Sequence, residues 1–443
     1  MLINLRQGFA SNSSSDHSII ISNQKWTDNS PDHAMSFGWE QFVCASEGSK
    51  MRYLAAQLFV AFSNLMPAEA AYVLSCHLVG IKPDKLKAPM DGFEVGVDHQ
   101  SVFAVPRRID GGINLDFVAD LKKFFKRPEV IVLGGNDNGD YPVMRDPNCP
   151  FSRRSSLGAL FDTSGDWVAR KQKGVWTVFN RNDGTKVTFT FDDGPVDKFK
   201  PNTPELVDMK ITEVCRHGCT YCYQHASVNG LHAETEKAKS LMWNLRTLEV
   251  FEVVMGGGNV FMHPELEDLV EEAHRNDIVV NFTTRDPKEI LTRPRMMELI
   301  KSKAVRRVAI SCRHVCDVEA IARVRDTLKT GFGDDQLFAV NLIFEEAAEY
   351  DIRDKEKQKK WAVPDELAVK KIIEAAWHSG LPVTLLGYKS CGDVNMDIRF
   401  GNGWVERYSA VLGSILDGKF GKSTWAQLGV DTALAHKYES RLK

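Results

Sequence analysis

Cys215-Arg216-His217-Gly218-Cys219-Thr220-Tyr221-Cys222 stands just after the alternating segment Val207–Ile211, and the reading of this stretch decides the fold. The segment reads as a strand and the residues after it as a loop that carries three thiols. Three thiolates so close in the chain can meet one metal centre only if the backbone turns tightly, and Gly218 supplies the freedom for that turn. An iron–sulfur cluster ordinarily takes four cysteine ligands, so three would leave one iron open to a ligand or cofactor. Zinc is the competing metal, with His217 or His225 as the fourth ligand, although structural zinc sites usually space their cysteines in pairs.

Downstream, strand signals recur near Phe251–Met255, Ile278–Phe282, Arg307–Ser311, Phe338–Ile343 and Val383–Gly387. Helical periodicity fills the gaps near Glu236–Leu248, Pro264–Asn276, Pro287–Leu299, Val318–Thr330 and Pro364–Ser379. With the strand before the cysteines this makes successive βα units, which predict an α/β fold with a parallel sheet or partial barrel. In such sheets ligands sit at the C-terminal ends of the strands. The cysteine loop would lie there.

Upstream, the pattern is mixed. The small polar opening from Gly8 to Ser18 leads into Ile19-Ile20-Ile21, read as a strand. Helices are expected over Met51–Met66, from Pro67 through Leu78, and over Leu115–Phe125. Strands are expected near Phe93–Val97, Val102–Val105 and Val130–Leu133, with a hairpin over Trp176–Phe191 turning at Asp183-Gly184. The chain therefore divides into an α+β domain over 1–203, the barrel over 204–392 and a helical extension over 393–443, with a helix near Gly403–Leu416.

The spacing Cys-x3-Cys-x2-Cys, with an aromatic before the last cysteine, resembles the signature of the radical S-adenosylmethionine (SAM) superfamily, whose core is a partial (β/α)6 barrel. The likeness runs from about Pro204 to Gly392. It implies a [4Fe-4S] cluster on Cys215, Cys219 and Cys222, with the open iron chelating the amino and carboxylate groups of SAM. An electron from the cluster would then split the sulfonium to a 5'-deoxyadenosyl radical that abstracts hydrogen from the substrate. Met255-Gly256-Gly257-Gly258-Asn259-Val260 stands where the family places a Gly-Gly-Glu-Pro element that meets the SAM amino group. The glycines match and would let backbone approach a ligand. Asn259 and Val260 replace the glutamate and proline, and the Asn259 carbonyl is expected to accept from the ammonium without charge assistance. By the same resemblance Tyr221, Thr283, Thr284, Arg285, Ser311, Arg313, Asn341 and Gly387 fall at or near strand ends that contact SAM.

Bulk composition narrows the rest. A chain of 443 residues is long enough for two domains, and 43% hydrophobic with 26% charged residues suits a globular protein. A net charge of -3 argues against a protein that coats nucleic acid, while local basic groups such as Lys122, Lys123, Lys126 and Arg127 read as solvated faces. No stretch approaches the roughly eighteen apolar residues of a membrane span, and the polar start lacks a signal-peptide core, so a cytoplasmic location with no membrane partner is expected. Nine cysteines in this length fit a reducing compartment. Cys44, Cys76 and Cys149 read as core or loop residues, and Cys312, Cys316 and Cys391 as idle thiols rather than a second cluster.

The loops Asp98–Ser101 and Gly134–Asp140 read as turns. An external flavodoxin- or ferredoxin-like electron donor is implied. The substrate stays open between a peptide or protein and a nucleotide or nucleic-acid base. The serine-rich opening resembles those of uncharacterised phage and bacterial proteins, and it is the only pointer to the latter. A catalytically degenerate barrel that binds SAM or metal for regulation is the alternative.

Overall fold

The computed structural model describes residues 18–21, 25–28, 36–37, 42–83, 96–97, 105–134, 166–191, 199–219, 222–332, 337–344, 366–387, 402–416, 428–431, 434–435 and 438. The expected loops Asp98–Ser101 and 135–140, and Tyr221, Cys149 and Cys391, lie outside them. The chain forms two compact units, Met1–Asn202 and Thr203–Lys443.

In the first unit the order is β1 (Ser18–Ile21), β2 (Ser36–Phe37), β3 (Phe42–Cys44), α1 (Glu47–Ser63), α2 (Ala68–Val79), β4 (Gly96–Val97), α3 (Leu115–Lys126), β5 (Val130–Gly134), β6 (Trp167–Gln172), β7 (Val175–Asn180) and β8 (Lys186–Phe189). Helix α1 starts a turn before the expected Met51 because Ser46 caps it, its hydroxyl accepting from the Ser49 N–H. Gly80, at φ 85°, closes α2 in the left-handed conformation. Strand β5 pairs antiparallel between β1 and β3, and β6, β7 and β8 form an antiparallel meander.

The hairpin at Asp183-Gly184 is the β7–β8 turn. The preceding one, at Lys173-Gly174 with φ 50° and 81°, escaped the sequence reading. Two consecutive positive φ angles are what a two-residue hairpin turn needs, so a lysine before a glycine served as the signal. Val105 lies outside any strand. An aromatic core built on Tyr53, Phe117, Phe125 and Trp176 joins the helices to the meander.

The second unit alternates β9 (Leu206–Thr212), α4 (Thr235–Thr247), β10 (Glu252–Gly257), α5 (Leu266–Arg275), β11 (Val279–Thr284), α6 (Pro294–Lys301), β12 (Val305–Cys312), α7 (Val315–Phe332), β13 (Phe338–Ile343), α8 (Glu366–His378), β14 (Val383–Leu386), α9 (Asn402–Leu416) and β15 (Leu428–Val430). The seven strands form one parallel sheet in strict sequence order from β9 to β15. A βα progression with no reversal of strand order is the path of a barrel, here left open, rather than of a doubly wound sheet.

Two details depart from expectation. The helix expected over Pro287–Leu299 is a 3-10 turn, Pro287–Thr292, followed by α6, because Pro294 has no N–H to continue the ladder and occupies a helix's first turn instead. The C-terminal segment also adds strand β15, which pairs with β14 and is too short to show a period.

Alternation along the strands separates two faces. Val253, Met255, Val280, Phe282, Val308, Ile310, Val340, Leu342, Val383 and Leu385 pack against the helices in one continuous core. The other face carries half-buried Glu252, Gly256, Asn281, Thr283, Ser311, Asn341 and Thr384. Ser311, Asn341, Thr384 and Gly429 lie in register across four strands, a polar row on the inner face. Among the described residues no helix is long and apolar enough to cross a membrane.

Candidate active site at the cysteine loop

The loop after β9 is fastened at its base. Glu213 N–H donates to Leu231 O over 2.7 Å, Cys215 N–H to Ser227 O over 2.9 Å, and Ser227 N–H to Glu213 O over 3.0 Å. The two limbs touch so closely that a Cβ at Gly230 would lie 2.4 Å from the Glu213 carbonyl, so only glycine fits there. Within the loop Gly218 adopts φ 57°, and Cys222 N–H donates to Cys219 O over 3.1 Å, so a tight turn links the second and third cysteines. His217 N–H points at Cys215 Sγ over 3.5 Å. All three thiols are free and half-exposed.

Strand β10 ends against this base. Gly258 N–H donates to Thr212 O over 2.7 Å and Asn259 N–H to Val214 O over 2.9 Å. A Cβ would lie 2.1 Å from Thr212 O at Gly257 and 2.3 Å from Val214 O at Gly258, whereas at Gly256 it would meet nothing within 4 Å. The sequence suggested that all three glycines let backbone approach a ligand closely. Two of them instead let β10 press on the backbone that carries the cysteines, and only Gly256 faces space.

Asn259 likewise departs from expectation. It is buried, at 5% exposure. Its Oδ1 accepts from Phe261 N–H over 3.2 Å, capping a 3-10 turn over Val260–Met262, and from the Thr284 hydroxyl over 3.5 Å. Its Nδ2 donates to Glu289 Oε1 over 2.9 Å. The carbonyl expected to face SAM is thus used inside the protein.

From β11 the loop Arg285-Asp286 reaches the cysteines. Arg285 Nη1 donates to Cys219 Sγ over 3.1 Å, and Asp286 Oδ2 lies 3.3 Å from His217 Nε2. The Thr284 hydroxyl accepts from Asp286 N–H and fixes that turn. Burial pushes the Cys215 thiol up, and the negative charges of Cys219 and Cys222 add to this, against the pull of His217 N–H and of Arg285. Three neighbouring sulfurs, one of them held back from ionising by burial, are a donor set whose charge a bound cation would offset. Soft thiolates with no carboxylate among them suit iron–sulfur chemistry. Among the described residues no three His, Cys, Asp or Glu side chains already converge as a closed metal cage does.

The remaining candidates divide. Thr283, Ser311 and Asn341 lie half-buried on the inner face, beside Thr384, which the sequence reading passed over although it alternates with apolar Val383 and Leu385. Arg313 and His314 turn their N–H groups onto Asp317 Oδ2, over 2.8 and 2.9 Å, which caps the start of α7. Gly387 N–H donates to Asp431 Oδ1 over 2.9 Å, tying the end of β14 to the residue after β15. Cys312 is buried in the helix-side core, where desolvation holds its thiol well above the usual range, and Cys316 is half-exposed. Cys44 and Cys76 are buried, as the sequence suggested.

The sequence pattern described as the Radical SAM superfamily matches residues 209–346, from within β9 past the end of β13, with the cysteine loop and the glycine turn inside it. Residues 209–346 are a radical SAM domain. The family is one of SAM and iron–sulfur chemistry.

Among solved structures, SuiB of Streptococcus suis bound to its precursor peptide SuiA is similar at 9% identity and a TM-score of 0.45, over 62% of this chain and 74% of that one. SuiB bound to S-adenosylmethionine is similar at 10% identity and 0.43, over 62% and 74%. A further SuiB structure is similar at 10% identity and 0.41, over 62% and 73%. No curated protein sequence matches the chain.

Proposed function

We propose that this radical SAM enzyme holds a [4Fe-4S] cluster on Cys215, Cys219 and Cys222, binds SAM beside it, and abstracts hydrogen from a substrate on the inner face of the open barrel. The observation that carries the reading is the cysteine loop itself. Three thiols on one loop follow the C-terminal end of the first barrel strand, with a guanidinium 3.1 Å from the middle sulfur. When bound, the cluster supplies the single electron that breaks a sulfonium C–S bond, giving methionine and a 5'-deoxyadenosyl radical that takes the hydrogen atom. An external flavodoxin- or ferredoxin-like protein supplies that electron.

The chain's own residues perform the rest. Arg285 offsets the charge of the Cys219 thiolate. Gly257 and Gly258 fix β10 against the loop base, and Gly256 leaves room for the cofactor. Ser311, Asn341 and Thr384 offer hydroxyl and amide groups in one row, suited to orienting a polar ligand.

The test is anaerobic incubation of reconstituted protein with SAM and dithionite. The wild type yields 5'-deoxyadenosine and Cys219→Ala yields none. Absence of the product from wild-type protein that retains its cluster would favour a SAM-binding regulatory role instead.

A further inference from the structure

The amino group of SAM keeps N–H donors even when its nitrogen ligates an iron, so the amino-acid end calls for a strong acceptor on the protein as well as a cation. Arg285 is a cation in contact with the Cys219 sulfur. Most carboxylates at the strands' C-terminal ends are already engaged. Asp286 faces His217, Asp317 takes two backbone N–H groups, Asp431 takes those of Gly387 and Leu434, and Glu213 is 2.7 Å from Lys210.

Glu289 differs. It is half-buried on the 3-10 turn after β11, and among the described residues its carboxylate meets no cation, only the neutral Nδ2 of Asn259 over 2.9 Å. That contact uses Oε1 and leaves Oε2 open. Asn259 itself is anchored by its N–H to Val214 O, one residue before Cys215, so the carboxylate is tethered to the base of the cysteine loop. The Asn259 carbonyl is spent on Phe261 and Thr284 and has no capacity left for a ligand's N–H.

We infer that Glu289 is the carboxylate that receives the amino group of SAM, held in place for that task by Asn259. The inference rests on the proposal that SAM is the ligand. An asparagine in the glycine turn then acts as a positioning residue whose amide aims an acid from the next strand's loop. A carboxylate restrained by one neutral hydrogen bond keeps its full charge for the ligand.

The experiment is equilibrium dialysis of anaerobically reconstituted full-length protein against SAM and against an analogue in which hydrogen replaces the amino group. Glu289→Gln keeps an oxygen for Asn259 and removes only the charge. It is expected to weaken SAM binding about tenfold, the size of one hydrogen bond to a charged group, and to leave the analogue unchanged. Equal weakening of both compounds would reveal a purely structural role and overturn the inference, as would no change in either. Failure of the wild-type protein to bind SAM at all would instead overturn the proposal on which the inference rests.

Discussion

Replacing Gly258 with alanine places a Cβ 2.3 Å from Val214 O, 2.8 Å from Val214 C and 3.0 Å from Glu213 C. All three are backbone atoms, so no side chain can swing aside. The closest contact is about 0.7 Å inside the 3.0 Å that Cβ atoms keep, and β10 must withdraw from the loop base by that much. Withdrawal stretches the bonds from Gly258 N–H to Thr212 O and from Asn259 N–H to Val214 O, now 2.7 and 2.9 Å. Two hydrogen bonds at about 1 kcal/mol each, with about 2 kcal/mol of overpacking, give a destabilisation of roughly 4 kcal/mol. In a unit of this size that lowers the melting temperature by roughly 10 °C.

Gly256→Ala is the matched control, since its Cβ meets nothing within 4 Å. Thermal denaturation followed by circular dichroism, with iron counted after anaerobic reconstitution, separates the two. Gly258→Ala is expected to melt early and hold less iron, while Gly256→Ala melts like wild type. Equal melting temperatures and equal iron would refute the reasoning that these glycines serve backbone contact.

Arg285→Ala removes the donor to Cys219 Sγ, and loss of iron to a chelator is expected to quicken about tenfold, from a charge-assisted bond of about 1.5 kcal/mol; an unchanged rate would contradict it. Arg293 grips the buried Glu267 carboxylate with two bonds, of 2.9 and 3.0 Å, so Arg293→Met strands that charge and is expected to cost about 3 kcal/mol in denaturant titration. His263 is buried, and burial lowers its pKa. Its Nδ1 accepts from Glu265 N–H, so the proton sits on Nε2 facing Ala233 O, and the neutral ring is the one that fits. The unfolded state therefore binds the extra proton first. Stability from this group is full above about pH 6.5 and falls as pH drops below it, and His263→Gln is expected to flatten that part of a melting-temperature profile.

Much of the barrel is legible in the sequence because its strands are short, largely apolar or alternating segments bounded by turns, and their observed limits differ from the expected ones by a residue or two. The 3-10 break before Pro294 follows from proline chemistry that a periodicity search averages away. Strands β3 and β15 are three residues each and exist only through pairing with distant partners, so no local signal marks them. Strand β6 had a local signal in Lys173-Gly174, overlooked because lysine is an uncommon first residue of such a turn.

In the site, the cysteines announce themselves by spacing, but their surroundings do not. Arg285 reaches Cys219 across 66 residues and Glu289 reaches Asn259 across 30. Such contacts depend on the loop after β11 folding over the first strand's end, a tertiary fact. The glycine turn shows the limit most plainly. Glycine was read correctly as a mark of close approach, yet the partner at Gly257 and Gly258 is the neighbouring strand rather than a ligand.

Whether the three cysteines hold a [4Fe-4S] cluster is decided by iron and sulfide analysis, joined to electron paramagnetic resonance of dithionite-reduced, oxygen-free protein. About four irons and four sulfides per chain are expected, with a low-temperature signal that changes when SAM is added and loss of both in Cys219→Ala. Stoichiometric zinc in place of iron, or a Cys219→Ala protein that keeps the full signal, would contradict the cluster assignment.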